Sequence, residues 1–245
     1  MPDAGPQRKP SIAGHRGAAG TAPENTLTSF LAAAALGIPW VELDVRLSRD
    51  EVPVVFHDDR LDRVTPERGR VDERSWEELS RIPVLPGAFG GRYPDARIPS
   101  LEQVLTSLPA GCGILAELKS DPERPERLVR RALETLAPHV ERLRILSFDW
   151  DLLRAVRVAS PGVALGVLAS QRQLEAALDA ATELRAAAIH APHGLLTPEW
   201  HLRARNAGFL VNAWTVNTAE DMQRLAGLGV VEITTDYPEL ALRVL

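Results

Sequence analysis

The chain has 245 residues and 45% of them are hydrophobic, which is enough apolar material for the core of one large domain or two small ones. Its formal net charge of −5 lacks the basic excess that is typical of nucleic-acid-binding proteins and of polybasic membrane-binding segments. No window reaches the roughly 18 uninterrupted apolar residues of a membrane span, and the first residues, MPDAGPQRKP, contain no apolar signal core, so we expect a cytoplasmic protein without a membrane anchor.

Short β-rich runs alternate with longer segments of helical period along the chain, a pattern typical of a parallel sheet with crossover helices. The eight predicted strands are Ser11 to His15, Trp40 to Leu47, Gly113 to Leu118, Arg144 to Phe148, Val163 to Leu168, Ala186 to His190, Phe209 to Thr215 and Val230 to Thr234. Amphipathic helical segments follow most of them. Eight such units in about 250 residues predict a TIM (β/α)8 barrel, with residues 1–245 forming a single domain.

The repeat is interrupted once, after the second predicted strand. The segment EVPVVFHD reads as a β extension, and a polar stretch rich in proline and glycine runs from about residue 59 to 97 before PSLEQVL resumes the helical pattern. In a barrel this excursion leaves from the C-terminal end of a strand, which is the face where active sites are built. We therefore expect an insertion over about 59–97 that forms a small cap at the barrel mouth.

Charged residues occupy the second and third predicted strands, where a barrel strand should be apolar. The segment WVELDVRL places Glu42 and Asp44 two residues apart on one face, and GILAELKS repeats this spacing with Glu117 and Lys119. If these faces point into the barrel, three carboxylates converge near its top and need a compensating cation. Since Cys112 is the only cysteine, no thiolate cluster can form within one chain, and oxygen ligands favour Mg²⁺ or Ca²⁺.

Basic residues and histidines lie at the same predicted face. His15 and Arg16 end the first strand, and His57 ends the extension of the second. Cations beside a metal, with imidazoles to move protons, indicate a site for a phosphate ester. Each residue also has an ordinary interpretation as a solvated carboxylate, a rim ion pair or a structural histidine. Their joint placement at the ends of consecutive strands favours the site.

Seven motifs in order, GHRG, PENT, E-x-D, HD, E-x-K, WTVN and TDYP, resemble the glycerophosphodiester phosphodiesterases from Ser11 to about Leu240. That family forms a TIM barrel with a small insertion after strand 2. By position, the resemblance implies the catalytic pair His15 and His57, the metal ligands Glu42, Asp44 and Glu117, and the phosphate-binding residues Arg16 and Lys119. It further implies that Trp214 packs on the glycerol side, that Glu24 holds Arg16 and that Asn25 orients a metal ligand. An ordinary core aromatic is the alternative for Trp214.

Three positions near the predicted strand ends have no assigned role at this point. Glu232 replaces the small residue that is usual in the last strand of the family, so the barrel interior or rim differs there. Asp236, in the TD pair, either takes part in the chemistry or caps the last helix. His190 ends the sixth strand at the functional face, where lining the pocket and a structural role are both open interpretations. His139, His193 and His201 match no catalytic motif.

The resemblance implies hydrolysis of a glycerophosphodiester to sn-glycerol 3-phosphate and an alcohol, with one divalent cation, Mg²⁺ or Ca²⁺, and one histidine as base and the other as acid. Either water or a glycerol hydroxyl attacks first, and the second route gives a cyclic phosphate. A lysophospholipase D-like or sphingomyelinase-like phosphodiesterase is an alternative, and a barrel that binds phosphodiesters without turnover is another. The lipid activity requires an apolar groove, for which the insertion offers Trp76, Leu79, Ile82, Val84, Leu85, Phe89 and Tyr93.

Overall fold

A computed structural model describes residues 9–85, 87–121 and 123–245 of the chain. The predicted absence of a signal core concerns residues 1–8, which lie outside the described residues, as does Pro86 in the predicted insertion. The strands are β1 Ser11–Gly14, β2 Trp40–Leu47, β3 Pro53–Val55, β4 Gly113–Leu118, β5 Leu143–Ser147, β6 Ala164–Leu168, β7 Ala188–Pro192, β8 Leu210–Trp214 and β9 Glu232–Thr235. The helices are α1 Leu27–Ala35, α2 Trp76–Leu79, α3 Leu101–Ser107, α4 Pro125–Leu136, α5 Trp150–Ala159, α6 Ala177–Glu183, α7 Pro198–Asn206, α8 Ala219–Leu228 and α9 Pro238–Val244.

Parallel strands close into a barrel in the order β1-β9-β8-β7-β6-β5-β4-β2, and β2 pairs again with β1. The contact of β1 with β9 runs over four residue pairs, from Ser11↔Glu232 to Gly14↔Thr235. Its contact with β2 consists of two pairs only, Ala13↔Trp40 and Gly14↔Val41. The predicted TIM barrel is confirmed, with helices between its strands.

Local sequence explains where the helices begin and end. The side chain of Thr26 accepts a hydrogen bond from the backbone N–H of Ser29 and so caps α1, which buries Phe30 against the barrel. Helix α4 begins at Pro125, whose missing N–H costs nothing in the first turn. Helix α8 ends at Gly229, which takes a φ of +88°, a conformation that suits glycine. No helix in the described part of the chain is both long and apolar enough to cross a membrane.

The insertion follows β3, which pairs antiparallel with the end of β2 and is the β extension predicted from EVPVVFHD. Between β3 and α3 the chain forms short 3-10 turns and the single helical turn α2. This segment has an apolar core of its own, made of Val54, Phe56, Leu61, Val64, Val71, Leu79, Ile82, Val84 and Ile98. Of the seven apolar residues that could have formed a lipid groove, three are therefore buried in this core, and Trp76 and Leu85 are partly buried against it.

Alternation along β2 sends side chains to the two sides of the barrel wall. Val41, Leu43 and Val45 join the large core beneath the helices, so Glu42 and Asp44 point into the barrel. The apolar part of the interior consists of Ala13, Leu115, Leu146 and Leu168, with Trp40, Phe148 and Trp214 packed against them. The polar positions that the sequence pattern singled out thus lie inside the barrel.

Candidate active site

A cavity opens at the C-terminal ends of the parallel strands. Its polar wall consists of His15, Arg16, Glu42, His57, Glu117 and Lys119, and its other wall of Leu146, Phe148, Leu168, His190, Trp214, Thr215 and Thr234. A larger groove of about 530 Å³ lies between α4 and α5, but mainly aliphatic side chains line it. The chemistry-bearing residues therefore converge on the smaller cavity, as expected for this face of a barrel.

Three buried carboxylates cluster at the polar wall, which Glu42 and Glu117 line directly while Asp44 does not. One oxygen each from Glu42, Asp44 and Glu117 lies within 4.8 Å of the others, and all three side chains are buried. Burial and the neighbouring carboxylates raise the pKa of Glu42 well above its ordinary value and that of Glu117 to about 7. Burial also disfavours ionisation of Asp44, but Lys119 and Arg16 outweigh it and hold the pKa of Asp44 low. Such a crowded all-oxygen set fits a divalent cation that prefers hard ligands.

Lys119 is the ammonium group of this wall. Its Nζ lies 2.6 Å from Glu117 Oε1 and 2.9 Å from Asp44 Oδ1, so it bridges the two carboxylates. Although burial opposes its charge, these two carboxylates raise the pKa of Lys119, and it stays protonated. A compact cation is therefore fixed at the edge of the cavity.

Arg16 reaches the same wall from the turn after β1. Its backbone N–H donates to Glu42 Oε2 at 3.0 Å and its Nη1 donates to Glu24 Oε1 at 2.7 Å, while Nε lies 3.3 Å from Asp44 Oδ2. The turn requires unusual backbone: Arg16 has a φ of +51°, and Gly17 has a φ of +89° where a Cβ would collide with Ser29. The GHRG motif thus bends the chain so that both the backbone N–H and the guanidinium group of Arg16 face the carboxylates.

Asn25 fixes the most buried carboxylate. Its Nδ2 donates to Asp44 Oδ2 at 2.7 Å, and the backbone N–H of Asp44 donates to Asn25 Oδ1 at 3.4 Å. Asn25 takes a φ of +55°, a left-handed conformation that asparagine tolerates better than most residues. The structure therefore places both PENT residues, Glu24 and Asn25, against site groups rather than in the cavity itself.

Each histidine of the polar wall is held by a carboxylate. His15 Nδ1 lies 2.6 Å from Asp236 Oδ1, and His57 Nδ1 lies 2.6 Å from Asp58 Oδ1. With Nδ1 engaged by a carboxylate, Nε2 is the ring nitrogen that is left for another partner in each histidine. Burial and the nearby Lys119 lower the pKa of His57, although Asp44 opposes the shift.

Asp236 thus contacts His15 and does not cap the last helix. Helix α9 has Tyr237 at its N-cap, with no side-chain capping hydrogen bond. Asp58 is a further partner that sequence reasoning missed, although it stands next to His57 in the HD motif. The adjacency was a signal, but only the geometry shows that the carboxylate turns back onto the ring.

The apolar wall is organised around Trp214. Its Nε1 donates to the backbone carbonyl of His190 at 3.1 Å, and its ring meets Phe148 edge to face with centroids 5.4 Å apart. Trp214 is half-buried, so part of the ring is free to contact a ligand. This arrangement gives the cavity an aromatic wall in addition to its charged groups.

A buried polar cluster lies next to this wall and explains the departure at position 232. Glu232 Oε1 accepts from Asn212 Nδ2 at 2.8 Å and lies 3.5 Å from Arg144 Nη1, while Asn212 Nδ2 is 3.2 Å from His190 Nε2. Arg144 also lies over the ring of Trp40, 5.2 Å from its centroid. Burial raises the pKa of Glu232 to about 7, and burial with Arg144 lowers the pKa of His190 well below its ordinary value. His190 lines the cavity as a neutral ring.

Comparisons with known proteins show which family this chain and fold resemble. A family model described as the glycerophosphoryl diester phosphodiesterase family matches residues 15–240. The chain is 32% identical over 237 residues to a glycerophosphodiester phosphodiesterase of Caldanaerobacter subterraneus subsp. tengcongensis, covering 94% of this chain and 96% of that one. A solved structure of an Oleispira antarctica phosphodiesterase in complex with the product sn-glycerol-3-phosphate is similar, with a TM-score of 0.90, 30% identity and 96% of both chains covered. A glycerophosphodiester phosphodiesterase from Thermotoga maritima has a TM-score of 0.81 at 26% identity, over 97% of this chain and 99% of that one.

Proposed function

The chain belongs to the glycerophosphoryl diester phosphodiesterase family, and from that premise we propose that it hydrolyses glycerophosphodiesters by a metal-dependent reaction in which His15 and His57 move the protons. The products are sn-glycerol 3-phosphate and an alcohol. The observation that carries this proposal is that one cavity is lined by two carboxylate-held histidines and by Glu42 and Glu117, which cluster with the buried Asp44. The product bound in the similar Oleispira antarctica enzyme supports the substrate class.

Glu42, Asp44 and Glu117 would hold the divalent cation, Mg²⁺ or Ca²⁺. The raised pKa values of Glu42 and Glu117 show that these carboxylates resist ionising together, which a dication would relieve. When bound, the ion supplies charge neutralisation for a phosphoryl group. Arg16 and Lys119 place two further positive charges at this wall, where they pair with non-bridging phosphate oxygens.

The histidines divide the proton transfers between them. The lowered pKa of His57 favours its neutral form at pH 7, so we assign it the general base that deprotonates the attacking hydroxyl. His15 then gives a proton to the leaving alkoxide. The same base serves attack by water or by the neighbouring glycerol hydroxyl. A cyclic phosphate detected by ³¹P NMR during turnover would distinguish the second route.

Trp214 and Phe148, two aromatic rings on the apolar wall, give the glycerol carbons an apolar surface to pack against. A lipid-cleaving activity is less well supported because the apolar residues of the insertion are engaged elsewhere. Leu79, Ile82 and Val84 lie inside its core, and Tyr93 packs edge to face with Phe89 while its hydroxyl donates to the Thr21 carbonyl at 3.1 Å. This packing favours a small deacylated substrate.

The test is an assay of glycerophosphocholine and glycerophosphoethanolamine hydrolysis with Mg²⁺, with Ca²⁺ and with a chelator. We expect His15→Ala and His57→Ala to lose about 100- to 10,000-fold in kcat, the usual range for a general acid or base. His139→Ala is the matched control, since that ring pairs with Arg142 and does not line the cavity. Full activity of either site variant, or activity that survives chelation, would contradict the scheme. Faster turnover of a lysolipid than of the deacylated diester would revive the lipid alternative.

A further inference from the structure

Arg63 lies in the insertion, yet its guanidinium reaches two carboxylates beside the cavity. Its Nη1 and Nη2 donate to the two oxygens of Glu24 at 2.9 and 2.7 Å, a bidentate pair. Its Nε donates to Asp58 Oδ2 at 2.5 Å. One arginine therefore binds three carboxylate oxygens on two different segments.

Both carboxylates are in turn partners of proposed site groups. Asp58 Oδ1 lies 2.6 Å from His57 Nδ1, and Glu24 Oε1 accepts from Arg16 Nη1 at 2.7 Å. The contacts form one continuous chain, from His57 through Asp58, Arg63 and Glu24 to Arg16. Burial disfavours charge on Glu24 and Asp58, but the hydrogen bonds from Arg63 outweigh it and lower the pKa of each.

We propose that Arg63 is a positioning residue that orients the proton-transferring His57 and the phosphate-binding Arg16 as a single unit. The proposal rests on the function proposed above, because it assumes that those two side chains do the chemistry. It also gives the insertion a role beyond covering the mouth: it supplies the residue that aligns two sides of the site.

The backbone that carries Arg63 is firmly held. It ends the 3-10 turn Leu61–Arg63, and its neighbours Leu61 and Val64 are buried in the core of the insertion. The Arg63 side chain itself is 47% exposed. Its partners Glu24 and Asp58 are 14% and 24% exposed but keep their contacts with Arg16 and His57, so removal of the half-exposed Arg63 should cost only a modest folding free energy while releasing both carboxylates to adopt other rotamers.

Only arginine offers three donors in this planar fork. A lysine at position 63 has one nitrogen and cannot hold Asp58 and both oxygens of Glu24 in the same geometry. We therefore expect Arg63→Lys to keep the charge but lose part of the alignment. This expectation separates orientation from a general electrostatic effect on the cavity.

The experiment measures kcat, KM and Tm for Arg63→Ala and Arg63→Lys on glycerophosphocholine, with Arg81→Ala as the matched control. Arg81 is an exposed arginine of the same insertion, paired only with Glu77 by the contacts seen among the described residues. We expect Arg63→Ala to lose about 10- to 100-fold in kcat, the range seen when an orienting partner is removed, with Tm unchanged within about 3 °C. Arg63→Lys should lose less than Arg63→Ala, and Arg81→Ala should match the wild type.

A double-mutant cycle shows whether the effect travels through Asp58. If Arg63 orients His57 through Asp58, the fold-loss in kcat from Arg63→Ala should be at least about threefold smaller in an Asp58→Asn background than in the wild type, with the branch through Glu24 to Arg16 accounting for what remains. Full kcat in Arg63→Ala, an equal loss in Arg63→Ala and Arg63→Lys, or additive losses in the cycle would overturn the inference. An inactive wild type or a fully active His57→Ala would instead overturn the proposed function, so the two failures are distinguishable.

Discussion

Asp236→Asn changes one atom beside His15, and the neighbouring hydrogen bonds determine how the new amide must point. Asp236 Oδ2 accepts from Asn217 Nδ2 at 2.6 Å, while Oδ1 pairs with His15 Nδ1 at 2.6 Å. Asn217 cannot turn over, because its Oδ1 already accepts from the backbone N–H of Asp236 at 3.0 Å and from Thr235 Oγ1 at 3.2 Å. The oxygen of the new amide must therefore face Asn217, and its NH₂ must face His15.

The magnitude follows from what His15 loses. In the variant, His15 Nδ1 faces the amide NH₂, a donor, where the wild type has a carboxylate oxygen, an acceptor. Either the ring is neutral with its proton on Nε2, or Nδ1–H and the NH₂ are two donors that face each other. A hydrogen bond to a charged group contributes about 1.5–3 kcal/mol, and the unmet donor adds about 1 kcal/mol or more. The sum of about 2.5–4 kcal/mol corresponds to a loss of about 70- to 900-fold in kcat.

The assay follows release of glycerol 3-phosphate from glycerophosphocholine at saturating metal. The control is the double variant Asp236→Asn with Asn217→Asp, in which the carboxylate and the amide exchange positions. The carboxylate at position 217 then accepts from the side-chain NH₂ at position 236. The amide oxygen at position 236 is therefore free to accept from His15 Nδ1. We expect this double variant to recover at least about tenfold over Asp236→Asn alone. The reasoning is refuted if the single variant keeps more than half of wild-type kcat or if the exchange recovers nothing.

Three other outcomes follow from the buried carboxylates. Glu42→Gln should abolish metal-dependent activity while raising the Tm of the metal-free protein by a few degrees, measured by calorimetry, because it removes a carboxylate whose ionisation the site disfavours. Apparent Mg²⁺ affinity should weaken as pH falls through about 7, because protons must leave Glu117 and Glu42 before the ion binds. Titration calorimetry of Mg²⁺ binding in buffers of different ionisation enthalpy should show the release of these protons. The free energy of unfolding of the wild type should fall relative to that of Glu232→Gln as pH rises from 4.5 through about 7, because the folded chain binds the Glu232 proton more tightly than the unfolded chain. The measurement is urea unfolding of both proteins across this pH range, and the same pH dependence in both would contradict the prediction.

The barrel and the place of the site could be predicted from the sequence for simple geometric reasons. Period-two carboxylates on a strand must share a face, and the C-terminal ends of parallel strands must meet at one end of the barrel. Glu42, Asp44 and Glu117 therefore converge whatever the details of packing. The same logic brings His15 to their side, although β1 itself ends one residue earlier, at Gly14.

The partners of these groups could not be predicted in the same way, because a hydrogen bond depends on rotamers and on residues far away in the chain. The sequence presents Glu232 as a departure but does not show that Arg144 and Asn212 would meet it inside the barrel. Apolar residues of the insertion give no sign of whether they face a groove or a core. Arg63 is one of many arginines in the chain, and nothing in its local pattern shows that it bridges Asp58 and Glu24.

The pairing of His15 with Asp236 joins residues 221 positions apart. At about 5–20 residues per second, roughly 10–45 s of translation separate the appearance of the two side chains. During that interval β1 has only its short two-pair contact with β2, because β9, which provides its longer contact, has not been made. Until β9 is in place, His15 therefore lacks Asp236, the carboxylate that holds its Nδ1.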